Sequence, residues 1–160
     1  MLNKMIRNIY QKGITLLEII IVIAIIGILV AVALPQLSKI KNTQIIKGAG
    51  EDVLSVLNKA RSQTLASLNS TEYGVHFETS RVIIFSGTVY SAGNVSNVVE
   101  NISVPAIIST ISLVGGAVDV YFNRLSGTAS KTGTIVVSIP SDSSLAKTIT
   151  ISATGGVSMN

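Results

Sequence analysis

Residues 12–34 read KGITLLEIIIVIAIIGILVAVAL, and the fold of the whole chain turns on how this stretch is understood. From Ile14 to Leu34 it runs for 21 residues interrupted only by Thr15 and Glu18. A helix of that length, at 1.5 Å per residue, spans about 30 Å, the thickness of a bilayer's hydrocarbon core. A carboxylate at the head of such a run is out of place. A charge deep in lipid costs roughly 2.5–3.5 kcal/mol on insertion scales, so groups of this kind tend to have partners. Lys4, Arg7 and Lys12 precede the run with no acid among them, which favours a cytoplasmic N-terminus with the remainder outside. Lys39 and Lys41 on the far side weaken that asymmetry slightly.

The length of 160 residues allows one small domain plus an anchor. A mean hydropathy of +0.59 with only 12% charged residues is unusual for a soluble domain and agrees with a membrane segment. There is no cysteine, which excludes disulfides, thiolate metal sites and a thiol nucleophile. The net charge of +4 is concentrated in the leader: from residue 14 onward nine basic residues face eight acidic ones, and from Glu72 onward four face five. A protein that collects phosphates shows a basic face, so this balance speaks against nucleic acid as a partner of the C-terminal part.

Three processing routes fit the N-terminus. Ala31-Val32-Ala33 has the form of a secretory cleavage site, although the apolar core is long, an acid opens it and Pro35 follows the cut. The run also suits an uncleaved single-pass anchor. In the third route the chain is cut before the run, after Gly13, and the helix stays with the product.

The third route is carried by a resemblance. Lys12-Gly13-Ile14-Thr15-Leu16-Leu17-Glu18 resembles the prepilin signal of type IV pilins and type II secretion pseudopilins, with a basic leader, a glycine before the cut, then Thr, Glu and an apolar helix. Ile14 stands where the family most often has phenylalanine. Gly27 and Pro35 match the family's helix glycine and proline. The resemblance implies cleavage between Gly13 and Ile14 by a prepilin peptidase and N-methylation of Ile14. It also implies that Glu18 engages the N-terminal amine of an adjacent subunit during assembly, and that the helix loses order between Gly27 and Pro35 in the filament. Physical chemistry points the same way for Glu18. A carboxylate one turn from a new amine, at the positive end of a helix dipole, is favourably placed. Gly27 and Ala31 form a small-xxx-small pair that lets helices approach. Pro35 lacks the amide hydrogen that would bond the Ala31 carbonyl and is expected to bend the helix.

From Gln36 to about Leu68 an amphipathic continuation is expected, ended by a loop at Asn69-Ser70-Thr71. Ile46, Val53, Leu57, Ala60, Thr64 and Leu68 form one stripe at helical spacing, with Lys39, Lys41, Lys47, Lys59 and Arg61 opposite. Gly48 and Gly50 weaken it. After Glu72 the period changes to two, and strands are expected near Tyr73–Glu78, Val82–Phe85, Ala117–Phe122, Thr134–Ile139, Thr148–Ser152 and Val157–Met159, with Ile107–Val114 a further candidate. Ser91–Val104 reads as a Ser/Asn-rich loop. The expected fold is α+β: a long N-terminal helix, half transmembrane (14–35) and half amphipathic (36–70), packed on a β-rich head (71–160) behind a leader (1–13).

A narrower resemblance, to GspH/FimT-like minor pseudopilins, rests on Ala60-Arg61-Ser62-Gln63-Thr64, Tyr73-Gly74-Val75-His76-Phe77, Phe122-Asn123-Arg124-Leu125-Ser126-Gly127-Thr128 and the closing Ile149-Thr150-Ile151 with Gly155-Gly156-Val157. In some members of that group the closing turn carries arginines linked to DNA uptake. Here it reads Gly155-Gly156-Val157-Ser158, without them.

Nothing in the sequence suggests an enzyme or a cofactor. His76 is the only histidine and has no partner for a zinc site or a triad. Asp142-Ser143-Ser144 offers one carboxylate, too few for calcium, and reads as a turn. Sequons at Asn69, Asn94 and Asn101 are expected by chance in such a composition. The chain is therefore expected to be a minor pilin or pseudopilin, held in the cytoplasmic (inner) membrane with its head outside and then drawn into a filament. Its partners would be the prepilin peptidase, other subunits, the inner-membrane assembly platform and the lipid bilayer. A major pilin of the same build, an uncleaved membrane protein with an adhesive β-head, and a secreted domain released after Ala33 are the alternatives.

Overall fold

The computed structural model describes residues 13–160. Lys4, Arg7 and Lys12 of the expected leader lie outside the described residues. Residues 13–15 are non-helical, and helix α1 then covers Leu16–Leu65. Contacts divide the chain at Lys39 into two compact units.

The first unit is helical from Leu16 onward. Its leucines, isoleucines and valines from Leu16 to Leu34 are all exposed, and its most apolar 18-residue window has a mean hydropathy of 3.2. Such a surface is stable only where something other than water covers it. A helix is the form such a segment takes in lipid, because it satisfies every backbone group internally. The helix assignment passes through Pro35.

The second unit, Ile40–Asn160, is α+β. Its strands are β1 (Tyr73–Phe77), β2 (Arg81–Ser86), β3 (Val98–Asn101), β4 (Ile107–Leu113), β5 (Asp119–Phe122), β6 (Gly133–Ile139), β7 (Asp142–Ile151) and β8 (Val157–Met159). They form two four-stranded antiparallel sheets, in the orders β3-β2-β1-β5 and β4-β6-β7-β8. One core joins both sheets to α1. Ile46, Ala49, Val53, Leu57, Ala60 and Thr64 of the helix meet Val75, Phe77, Val82, Ile84, Val120 and Phe122 of the first sheet and Ile135, Val137, Ile139, Ile149 and Ile151 of the second. Period-two alternation sends these strand residues to one face, as the sequence anticipates.

Five details differ from the sequence reading. The helix ends at Leu65, about one turn short of the expected Leu68, because Ser67 turns left-handed (φ 50°) and a 3-10 turn follows at Leu68–Ser70. Leu68 consequently falls off the buried stripe and is exposed. β3 lies inside the expected loop; it is exposed along its whole length and held by pairing Arg81–Ile84 of β2 with Val98–Asn101. Asp142 pairs with Ile139 across Pro140-Ser141, so Asp142-Ser143-Ser144 opens β7 and is not a turn. Gly50 is buried, and a Cβ there would stand 2.5 Å from Met159 Sδ and 3.3 Å from Lys147 Cβ, so its lack of a side chain admits β7 and β8 close to the helix.

Candidate functional site: the anchor's first turn and the loop end of the head

Helix α1 opens with a cap. The Thr15 carbonyl accepts the N–H of Ile19, and the Thr15 hydroxyl accepts the N–H of Glu18 at 3.2 Å. Thr15-Leu16-Leu17-Glu18 thus has the Thr-x-x-Glu spacing of a capping box, a signal the sequence contained and that was not used to place the helix start. Ile14, Glu18, Ile19, Val22 and Ile23 line one shallow recess of about 200 Å³. The structure therefore brings Ile14 and Glu18 together, and Gly13 lies just outside the helix. Gly27 has nothing within 4 Å of where a Cβ would be, leaving a flat place on the helix surface. Pro35 lies eight residues further along α1.

In the head, the end of α1 is tied to two loops by Arg61. Its Nε donates to the Gly127 carbonyl at 3.0 Å and a terminal guanidinium nitrogen donates to the Thr154 carbonyl at 3.3 Å. Gly155 (φ +77°) lies against Gly127 so closely that a Cβ would overlap the Gly127 carbonyl oxygen. Thr64, fully buried, donates to the Ala60 carbonyl and accepts the N–H of Tyr73. The motif residues around Arg61, Phe122–Thr128 and Gly155 are thus neighbours in space.

On the face of the first sheet away from α1, His76 stacks on Tyr90 with ring centroids 3.8 Å apart and planes 8° from parallel, and Phe85 meets Tyr90 edge-on. Burial lowers the His76 pKa against the opposing pull of Glu78 and Asp119, while Arg81 lowers it further. Its Nδ1 is buried with no hydrogen-bond partner. Beside it, Glu78 and Arg81 pair at 2.7 Å. That hydrogen bond lowers the carboxyl pKa of Glu78 and raises the Arg81 pKa.

Between α1 and β3 a cavity of about 170 Å³ is lined by Asp52, Ser55, Val56, Lys59, Ile84, Val98 and Glu100. Burial and then the negative charges of Glu100 and Glu51 raise the Asp52 pKa. No group of three or more His, Cys, Asp or Glu side chains able to hold a metal occurs among the described residues. Asp142 accepts from the backbone and hydroxyl of Ser144, a local arrangement within the strand.

Comparison with known proteins agrees with these features. Residues 9–34 match the prokaryotic N-terminal methylation motif. Two fimbrial proteins of Pseudomonas aeruginosa are each 35% identical over 85 residues, covering 48% of this chain and 55% of the relative. The chain spans about half the length of these relatives. The crystal structure of the type IV minor pilin FimU of Pseudomonas aeruginosa (strain PAO1) is similar in fold, with a TM-score of 0.51 at 13% identity over 71% of this chain and 91% of that one. A match to the prokaryotic N-terminal methylation motif that runs into a helix, and a β-head similar in fold to that minor pilin, are thus combined in one chain.

Proposed function

We propose that the chain is a non-enzymatic structural subunit, of minor-pilin or pseudopilin type, of a type IV pilus or type II secretion pseudopilus. The observation that carries this reading is the exposed apolar helix with a single carboxylate, Glu18, sharing a recess with Ile14. In this reading the precursor waits in the inner membrane with its head outside, and a prepilin peptidase cuts between Gly13 and Ile14. The new amine, N-methylated on Ile14, and Glu18 then offset one another between adjacent helices. That neutralisation removes the cost of carrying either charge into an apolar bundle. Gly27 lets helices approach, and the Gly27–Pro35 stretch gives the packed bundle its compliance. The assembly platform and other subunits are the partners. A nucleic-acid role has no support from the charge balance of the head.

The test is the N-terminal peptide of the protein recovered from membranes and from sheared filaments, read by mass spectrometry. A chain beginning at N-methylated Ile14 in the filament fraction is expected, and Glu18→Ala is expected to remain in the membrane fraction, processed and unassembled. A chain beginning at Met1 or Leu34, or normal incorporation of Glu18→Ala, overturns the reading.

A further inference from the structure

We propose that residues 88–97 form an acid-released strap, latched to the outer face of the first sheet by the Tyr90 ring on His76 and opened when His76 takes up a proton.

The segment leaves β2 at Gly87, whose N–H donates to the Glu72 carbonyl, and rejoins the sheet as β3. Between these roots every residue is exposed except Tyr90 and Asn97. Its hydrogen bonds stay within itself. Asn94 N–H and Asn97 Nδ2 donate to the Ser91 carbonyl, Asn97 N–H donates to the Asn94 carbonyl, and the N–H and hydroxyl of Ser96 donate to Asn94 Oδ1. Among the described residues, no hydrogen bond ties 88–97 to the sheet. The ring contacts that hold it are those of Tyr90, stacked on His76 with centroids 3.8 Å apart and edge-on to Phe85 at 5.7 Å. A segment that satisfies itself and is held at one point can open without the rest of the domain.

The closed strap also leaves contacts unmade. A cavity of about 310 Å³ lies beneath it, between Arg81, Ile83 and Val99 of the sheet and Ala92, Asn94 and Asn97 of the strap. Atoms lining such a gap forgo dispersion contacts. Two buried polar atoms at this junction, His76 Nδ1 and Asn97 Oδ1, have no hydrogen-bond partner in the chain. A buried polar group without a partner works against the state that buries it. Ile83 and Phe85, both buried, favour closure, since opening would bare them to water. Closure is therefore a balance that one charge can tip.

His76 supplies that charge. A neutral imidazole carries an N–H on one ring nitrogen, an imidazolium on both. Protonation under the closed strap would make Nδ1 a buried donor with nothing to accept from it. The strap has no charged residue to answer the imidazolium. The groups that act on the ring are Glu78 just after β1, Asp119 of β5, Arg81 of β2 and the Tyr90 phenol. Glu78 and Asp119 favour the charge, but Glu78 is already paired with Arg81 at 2.7 Å, and Arg81 opposes it. A cation over a tyrosine face is also attracted to it. Burial outweighs these pulls and holds the closed-state pKa below 6.5. In the open strap the ring meets water and regains its ordinary pKa. Falling pH therefore favours opening, from about 6.5 down through the lowered closed-state value.

The chain has no cysteine, so a single thiol placed under the strap reports its opening. Ile83→Cys puts one there. Val95→Cys, fully exposed, gives the unhindered reaction rate at each pH, and Val75→Cys, fully buried in the core, reports unfolding of the whole head. Each is measured on the purified full chain in detergent, with dithiodipyridine as the thiol probe, at pH 7.5 and pH 5. Protection is the Val95→Cys rate divided by that of the buried thiol. Ile83→Cys is expected to be about tenfold or more less protected than Val75→Cys at both pH values. Its protection should fall about threefold or more between pH 7.5 and pH 5. His76→Phe keeps a ring against Tyr90 and cannot be protonated, so in that background the fall should vanish. Tyr90→Ser should cut protection of Ile83→Cys at both pH values and leave Val75→Cys protected. Equal protection at positions 83 and 75 would mean that the strap opens only with the whole head, and overturns the proposal. So does protection at position 83 that ignores pH, that falls equally with His76→Phe, or that survives Tyr90→Ser.

Discussion

The hydroxyl of Thr64 accepts the backbone N–H of Tyr73 at 2.9 Å, joining the last turn of α1 to the first residue of β1. It also donates to the Ala60 carbonyl at 3.0 Å, so this fully buried hydroxyl is satisfied on both sides. Thr64→Val keeps the shape and removes the acceptor, leaving a buried N–H unpaired. A loss of about 1–3 kcal/mol is expected. Thermal unfolding of the full chain in detergent checks it, and an unchanged midpoint would show that the bond is not needed to hold the helix to the sheet.

Gly155 and Gly127 make a second tie. Because a Cβ on Gly155 would overlap the Gly127 carbonyl and crowd Arg61 Nε, Gly155→Ala should destabilise the head by more than about 2 kcal/mol. Arg61→Met removes the same clamp from the other side. If the clamp is one unit, the double variant loses less than the sum of the two single losses, which a double-mutant cycle measures.

His76 gives the head a pH dependence. Its folded-state pKa lies below the ordinary 6.5, so the unfolded chain binds the proton more readily. The contribution is fully present above the ordinary value and is lost as pH falls through 6.5 toward the folded pKa. Melting midpoints between pH 7.5 and 5 should decline, and His76→Gln should flatten that part of the curve. A decline of the same size in the variant would assign it to other groups.

Asp52 acts in the opposite sense. Its folded-state pKa is raised above the ordinary 3.8 by burial, Glu100 and Glu51, so its charge is a liability at neutral pH. Asp52→Asn should raise the midpoint at pH 7. The gain should begin to fade as pH falls through the raised pKa and be gone below 3.8, where Asp52 is protonated in the folded and the unfolded chain alike. A loss of stability at pH 7 would mean that Lys59, across the same cavity, depends on the carboxylate.

Much of this was legible in the sequence, for physical reasons that also mark where legibility stopped. β5 and β6 alternate because one face of each is buried, and β2 reads as a continuous apolar run because Val82, Ile83, Ile84 and Phe85 are all buried. β3 escaped because all four of its residues are exposed, so no burial impressed a pattern on it. The first half of β7 is polar and owes its strand state to pairing with β6. Gly50 reads locally as a weak point in a helix, and only the position of Met159 and Lys147 gives it a purpose. Ile14 and Glu18 were readable as a pair from their spacing. The tie between Arg61, Gly127 and Thr154 was not, since its partners are 66 and 93 residues away and two of them are backbone carbonyls.

The cap at Thr15 bears on how such a chain would mature. The hydroxyl, the carbonyl and the N–H groups that start the helix all belong to residues 15–19, downstream of the bond between Gly13 and Ile14. Residues 13–15 are outside the helix. A peptidase acting at that bond would meet residues 13–15 already outside the helix, and would take nothing from the cap when the leader left. Precursor and product would share one helix start. Maturation would then rewrite the charge at the head of the helix and leave its conformation as it was.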